Sequence, residues 1–139
     1  MRVVIDTNVM ISALFSVSSL PGHLIELWRN GRFDVLISAE QLDELMRVTG
    51  YPKVRERLTP ALAGQLINEL RDLAIMITNL PAVSISPDPS DNFLLAVAAA
   101  GAADFLVTGD KAHVLSLKAY ERTKILSVRE FLTLHKRLP

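Results

Sequence analysis

The sequence predicts one α/β domain over residues 1–139, with a parallel five-stranded sheet and helices on both faces. First, short apolar β-branched runs alternate with amphipathic stretches along the whole chain, which is typical of a parallel sheet covered on both sides. Second, half of the 139 residues are hydrophobic, which is enough to form a core. Third, no linker, internal repeat or low-complexity segment divides the chain.

The first part of the chain begins with the clearest strand. Residues 3–5 are Val-Val-Ile, a run that suits a strand buried on both faces. Residues 7–15 predict a helix, and a second helix begins near Pro21, which fits a first helical turn. Residues 33–37 predict the second strand.

The middle of the chain adds two helices and a strand. Ser38 and Gln41 have the spacing of a capping box that opens a helix, and Gly50 ends this helix. Another helix begins near Pro60. Residues 74–78 then predict the third strand, which completes a second strand–helix repeat of the expected alternation.

The last part of the chain repeats the same alternation. Ser90 is expected to cap a helix over residues 92–100. Ser127 and Glu130 form a second capping box, which opens the final helix. Between these helices the sequence predicts two strands and an intervening helical turn, at residues 105–107, 124–126 and 114–117.

Composition excludes several classes of protein. The absence of cysteine rules out a disulfide framework, a thiolate zinc site and a cysteine nucleophile. Fifteen basic residues balance fifteen acidic ones, so the chain is not a generic polycation that binds nucleic acid by net charge. The charges are unevenly distributed, however: acidic residues dominate in 1–46 and 58–110, and basic residues dominate in 47–57 and 111–139.

No segment predicts a membrane span. The longest apolar run, residues 93–103, has about half of the roughly 20 residues that a spanning helix needs. Asp6 and Asn8 interrupt the approach to an apolar stretch near the N-terminus, which argues against a secretory signal. We therefore expect a cytoplasmic protein.

Four acidic residues follow four different predicted strands: Asp6, Glu44, Asp91 and Asp110. If the alternation holds, they meet at the carboxyl edge of the sheet, where open α/β folds bind their ligands. Clustered carboxylates repel one another, and a hard divalent cation relieves that repulsion. Oxygen-only ligation suits Mg²⁺ or Mn²⁺, which can activate water and neutralise a phosphate oxygen, as phosphodiester hydrolysis requires.

Each acid also has an ordinary structural interpretation. Asp91 alone is more often a helix cap, and Asp110 could be a turn residue. Glu44 alone is more often a solvated helix residue, with Glu40 and Asp43 as rivals for its role. The conjunction of the four positions, and not any one of them, favours a metal site.

Four segments of this chain resemble the motifs of PIN-domain nucleases, in the same order. They are Val-Val-Ile-Asp-Thr-Asn-Val at residues 3–9, Leu-Asp-Glu-Leu at 42–45, Asp-Pro-Ser-Asp-Asn at 88–92 and Leu-Val-Thr-Gly-Asp at 106–110. Each motif is weak alone, but four in order on the expected elements are specific. The resemblance extends from residue 2 to about residue 132.

The resemblance implies a metal-dependent endoribonuclease with a parallel five-stranded sheet. It makes Asp6, Glu44, Asp91 and Asp110 the catalytic and metal-binding quartet, and Asp88 an accessory ligand. Asn8 and Thr108 would orient carboxylates or water. Tyr-Pro-Lys at residues 51–53 is similar to the bacterial and archaeal group of toxins in toxin–antitoxin systems (VapC-like), which implies an antitoxin protein and a homodimer as partners.

Basic side chains follow two of the acidic motifs and are candidates for binding the RNA backbone. Lys111 is the best single candidate because it directly follows Asp110; Arg47, Lys53 and Arg55 belong to the first basic stretch. Solvated helix faces and turns are an equally good explanation for any one of these residues.

Two other classes of protein fit less well. A non-catalytic RNA-binding or protein-interaction module on this fold is the main alternative, but such a module is expected to have lost part of the acidic quartet. A phosphatase of the haloacid-dehalogenase type needs a second acid two residues after Asp6, where this chain has Asn8.

Overall fold

The computed structural model describes residues 1–109 and 112–136, and of residues 112 and 113 only the backbone. Within this part of the chain, six strands form one sheet in the order β3-β2-β1-β4-β6-β5. In chain order the strands are β1 (Arg2–Ile5), β2 (Asp34–Ile37), β3 (Ile75–Met76), β4 (Phe105–Thr108), β5 (Ala119–Tyr120) and β6 (Thr123–Ser127).

The prediction of a purely parallel five-stranded sheet was wrong. The five predicted strands do pair in parallel, but the short β5 adds an antiparallel edge by folding back onto β6. Glu121, in the two-residue turn between them, has a φ of 51°. Such a turn favours Gly or Asn at positive φ, and this turn has neither, so the sequence carries no hairpin signal.

Eight helices cover the sheet in the described part of the chain. They are α1 (Thr7–Phe15), α2 (Leu20–Arg29), α3 (Ala39–Thr49), α4 (Pro52–Arg55), α5 (Pro60–Leu73), α6 (Pro89–Ala100), α7 (Ala112–Leu117) and α8 (Val128–His135). The sequence predicted all of these except α4, a single turn that begins at Pro52. Proline fits this first helical position because its missing N–H has no intrahelical partner there.

The sheet separates two hydrophobic layers. Val3 and Ile5 of β1 face the layer that contains α1, α2, α3, α5 and α8, whereas Val4 faces the layer that contains α6 and α7. Trp28 is buried in the first layer, and Phe131 packs edge-on against Phe33 and Phe105 in the same layer. Full burial of β1 on both faces explains why its sequence is apolar without alternation.

Helix caps agree with the sequence at two of three positions. The capping box of Ser127 and Glu130 is confirmed. At Ser38 only half of the predicted box is present: its hydroxyl accepts from the backbone N–H of Gln41, but the Gln41 side chain donates to Ile5 and Thr7 instead. The cap of α6 is Asp88 and not Ser90: the Asp88 carboxylate accepts from the backbone N–H of Ser90. Pro89 at the first helical position moves the start of the helix earlier than the polar pattern indicated.

No single helix in the described residues is long and apolar enough to cross a membrane. The helices α1 and α2 together have sufficient length and apolarity, but the chain bends by 101° between them.

Candidate active site

The strand order places a crevice at the carboxyl end of β1. From β1 the chain continues to β2 on one side, and β4 lies on the other side, so strand order reverses there. Open α/β sheets bind their ligands at such a reversal, because the connections after the two neighbouring strands diverge to opposite faces.

Asp6 occupies this crevice. Its backbone N–H donates to the Val107 carbonyl at 2.9 Å, which extends the β1–β4 pairing by one residue. Its carboxylate caps α1, and one oxygen accepts from the backbone N–H of Asn8 at 3.0 Å. The other oxygen accepts from the Thr108 hydroxyl at 2.8 Å. Both oxygens are therefore held in fixed directions, on a side chain that is only 2% exposed.

Thr108 ends β4 and is fully buried. Its hydroxyl reaches Asp6 because β4 pairs with β1 in a register that ends at Ile5 and Val107. The contact is the one expected of a group that orients a carboxylate.

Gln41 clamps the turn that carries Asp6. Its side-chain amide donates to the Ile5 carbonyl at 2.6 Å and to the Thr7 hydroxyl at 3.3 Å, so it binds the residues on either side of Asp6. The sequence missed this role and assigned Gln41 only to a capping box with Ser38. The available signal was a polar residue on the buried face of α3, in line with Leu45.

The clamp leaves one buried polar atom of Gln41 without a described partner. The side-chain oxygen of Gln41 is buried, and within the described part of the chain it has no hydrogen-bond partner. A buried acceptor without a partner destabilises a fold by about 1–3 kcal/mol. Such groups call for an explanation other than stability, and a positional role beside Asp6 supplies one.

An open pocket of about 380 Å³ lies over Asp6 between α3 and α6. Glu44 lines it from α3, half-buried, and so does Glu40, whereas Asp43 is exposed and does not line the pocket. Glu44 and Glu40 thus face the pocket that contains Asp6, and Asp43 does not. The remaining lining residues are Thr7, Asn8, Ser38, Gln41, Arg47, Val48, Ser90, Phe93, Leu94 and Val97.

Asp91 lies in the first turn of α6, next to the lining residue Ser90, and is 2% exposed. One of its oxygens accepts from the Ser86 hydroxyl at 3.1 Å. The side-chain amide of Asn92 fixes the same segment, because it accepts from the backbone N–H groups of Ile85 and Ser86 and donates to the Ser86 carbonyl. Asp91 is therefore a buried, oriented carboxylate and more than a solvated helix cap.

The other predicted site residues are more dispersed. Asp88 is exposed, and its carboxylate caps α6 by accepting from the N–H and hydroxyl of Ser90. Arg47 lines the pocket, whereas Lys53 and Arg55 are exposed on α4 outside the lining. Asp110 and Lys111 lie outside the described residues.

Residues 2–112 match the family model of the PIN domain. The chain belongs to the PIN-domain family. The PIN domain is generally a nuclease fold whose members act on nucleic acid with divalent metal ions. The chain is also 35% identical over 92 residues to the uncharacterized protein MJ1680 of Methanocaldococcus jannaschii; the match covers 66% of this chain and about half (54%) of the length of that relative.

The chemistry of the donor set in this PIN domain suits a hard divalent cation. Asp6, Glu44 and Asp91 offer carboxylate oxygens, and cysteine is absent from the chain. Among the described residues, no three acidic or histidine side chains are grouped closely enough to enclose an ion by themselves. The described acids therefore fit a cation in kind, as partial contributors to a coordination shell that Mg²⁺ usually completes with water.

Proposed function

We propose that this PIN domain is a metal-dependent endoribonuclease. The observation that carries the proposal is the arrangement around Asp6: a buried carboxylate with both oxygens held by Asn8 and Thr108, at the floor of an open pocket lined by Glu44 and Arg47. A carboxylate buried away from any pocket would suit a structural role, and an exposed carboxylate with no fixed direction would suit a solvated helix cap. Orientation beside an open pocket favours binding and catalysis.

The proposed cofactor is Mg²⁺ or Mn²⁺, held by Asp6, Glu44, Asp91 and Asp110. When bound, such an ion supplies water activation and neutralisation of phosphate charge. The protein supplies orientation: Asn8 and Thr108 fix the oxygens of Asp6, and Ser86 fixes one oxygen of Asp91. The reaction is hydrolysis of an RNA phosphodiester that leaves a 5′-phosphate and a 3′-hydroxyl, with no covalent intermediate on the protein.

Binding of the RNA backbone is proposed for the basic residues near the pocket. Arg47 is the best supported of the described residues because it lines the same pocket as Asp6 and Glu44. Lys53 and Arg55 on α4 and Lys111 would extend this contact along the strand. Each phosphate contact of this kind makes affinity fall as salt concentration rises.

The biological role that we propose is the toxin of a toxin–antitoxin pair in the cytoplasm, acting as a homodimer and neutralised by an antitoxin protein. The support is the resemblance at residues 51–53 and the order of the four motifs. Growth arrest on expression, relieved by the product of an adjacent reading frame, is the expected result. Growth that is unaffected by the active enzyme would contradict the toxin role and leave the nuclease proposal intact.

The nuclease proposal is tested by incubating the protein with single-stranded RNA in Mn²⁺, in Mg²⁺ and in excess EDTA. Cleavage with either ion, its loss in EDTA, and its loss in the Asp6→Asn variant are expected. Binding of RNA without cleavage under all three conditions would favour the alternative, a non-catalytic RNA-binding module. Full cleavage in EDTA would contradict the role of the metal.

A further inference from the structure

Phe93 is an aromatic side chain left in water beside the candidate active site. It lies in the second turn of α6, where the next two residues, Leu94 and Leu95, are buried, yet Phe93 is 51% exposed. Single exposed apolar side chains are common on protein surfaces, but this one borders the candidate active site, where an exposed aromatic ring can contact a ligand.

The side chain separates two cavities. On one side it lines the pocket that contains Asp6, Glu44 and Arg47. It also lines a shallow groove of about 340 Å³, whose other lining residues are largely apolar: Leu80, Pro81, Ala82, Val83, Pro89, Asn92 and Ala96. Phe93 thus borders both the groove and the pocket that holds the acidic residues.

The wall of this groove is anchored to α6. Asn92, next to Phe93, is bonded through its side-chain amide to Ile85 and Ser86 of the preceding segment. Pro81 and Pro89 further restrict the backbone of this segment. A fixed apolar surface beside a polar site can bind a flat ligand without the entropy cost of ordering a loop.

We propose that Phe93 forms a subsite for an unpaired nucleobase of the RNA, next to the cleaved phosphate. The inference rests on the proposed nuclease function and names its substrate class as RNA with an unpaired nucleotide at the cleavage point. An aromatic face stacks on any base, whereas a base within a duplex is already stacked on its neighbours. Arg47 in the adjoining pocket would hold the phosphate of the same strand.

A protein partner is the other class of molecule that could cover Phe93. The RNA base is favoured because Phe93 lines the apolar groove and also the pocket that carries Arg47, so a base on Phe93 and a phosphate on Arg47 could belong to one strand. Expected affinity losses are modest: removing one base–aromatic stack weakens binding roughly 5- to 150-fold.

The test compares Phe93→Leu, Phe93→Trp and the control Leu62→Ala, an exposed apolar residue of α5 that lines neither cavity. The substrate is a single-stranded oligoribonucleotide that the native protein cleaves at one bond, together with versions that lack the base at one position each. Both kcat/KM and binding by fluorescence anisotropy are measured for each combination of protein variant and oligonucleotide. Thermal unfolding of each variant serves as the check on folding.

On the intact oligonucleotide, kcat/KM is expected to fall roughly 5- to 150-fold in Phe93→Leu, and Phe93→Trp and Leu62→Ala are expected to match the native protein. On the oligonucleotide that lacks the stacked base, kcat/KM of the native protein should fall to the value of Phe93→Leu. The kcat/KM of Phe93→Leu should be the same on this oligonucleotide as on the intact one. An equal loss in Phe93→Leu on every oligonucleotide would overturn the subsite, as would native activity in that variant. A change of oligomeric state in Phe93→Leu, with RNA binding unaltered, would assign the side chain to a protein contact instead.

The two proposals fail differently. Binding that depends on Phe93 without any cleavage would overturn the nuclease function and retain the base subsite. Cleavage that is independent of Phe93 would retain the nuclease function and overturn the base subsite. The absence of both RNA binding and cleavage would overturn both proposals.

Discussion

The two ends of the sheet use aspartate in different ways. At the amino end, Asp104 accepts from the backbone N–H of Arg2 and from the Arg122 guanidinium, each at 2.8 Å. The Arg2 N–H, against some desolvation and with help from Arg122, holds the pKa of Asp104 below its ordinary value. At the carboxyl end, Asp6 is more deeply buried, and a hydroxyl and a backbone N–H each donate to one of its two oxygens.

This difference separates stability from function. The contacts of Asp104 favour its charged form and join the start of β1 to the β5–β6 turn, so they stabilise the fold. The contacts of Asp6 set the direction of two oxygens beside an open pocket. Substitutions at the amino end should therefore lower stability, and those at the carboxyl end should lower activity.

The largest contrast is expected between Asp6→Asn and Asp104→Asn. Asp6→Asn should lower RNA cleavage by more than the roughly 10- to 100-fold that is typical of groups that only support a metal ligand. Asp104→Asn should retain cleavage and lower the melting temperature. Cleavage rates and thermal unfolding of both variants check this, and equal loss of activity in both would remove the distinction between the two ends.

Two buried threonines provide a matched pair for the next effect. Thr108 and Thr123 are both fully buried, and each donates its hydroxyl at 2.8 Å, to Asp6 and to the Ala103 carbonyl respectively. Thr108→Val should lower cleavage roughly 10- to 100-fold, because Asp6 loses a donor. Thr123→Val should cost about 1–3 kcal/mol of unfolding free energy and leave cleavage unchanged. A similar activity in the two variants, measured at a temperature where both are folded, would refute the orienting role of Thr108.

A smaller effect is expected from Gln41→Met. The variant loses the clamp on Ile5 and Thr7, so kcat should fall by up to about 10-fold with little change in KM. Its unfolding free energy should change little, because the lost hydrogen bonds are offset by removal of an unpaired buried oxygen. Gln65→Met, at an exposed position of α5, is the control and should match the native protein. A loss of stability with unchanged kcat would make Gln41 purely structural.

The smallest effect concerns pH. Because the pKa of Asp104 is lowered in the folded state, its contribution to stability is present above the pKa of an unfolded aspartate, about 4, and is lost as pH falls through the lower folded value. The difference in unfolding free energy between native protein and Asp104→Asn should thus be constant near neutral pH. It should decrease toward zero as pH falls below about 4. Denaturant unfolding across this range measures it, and a gap that persists at low pH would contradict the assigned cause.

Local sequence patterns were sufficient to predict strands and helix caps where a single pattern pointed to one structure. The apolar run of β1 predicted a doubly buried strand, and the spacing of Ser127 and Glu130 predicted a cap that the structure contains. The patterns failed where signals competed: Asp88 and Ser90 are both good caps, and Pro89 decided between them. The β5 hairpin was missed because its turn lacks the usual residues.

Contacts between distant segments could not be predicted from local patterns. The clamp of Gln41 joins residues 36 positions apart, and the bond from Thr108 to Asp6 spans 102 positions. The orienting role of Thr108 was available only through resemblance to a family. The exposure of Phe93 was hidden for another reason: it begins a continuous apolar run, and such a run does not indicate which of its members stays outside the core.

We propose that the carboxyl end of the sheet, and not the amino end, binds the divalent cation. The most direct measurement is Mn²⁺ affinity, by electron paramagnetic resonance of free Mn²⁺, for native protein, Asp6→Asn and Asp104→Asn under conditions where all three are folded. We predict equal affinity for native protein and Asp104→Asn, and affinity at least roughly 10-fold weaker for Asp6→Asn. Native Mn²⁺ affinity in Asp6→Asn would show that Asp6 does not hold the cation.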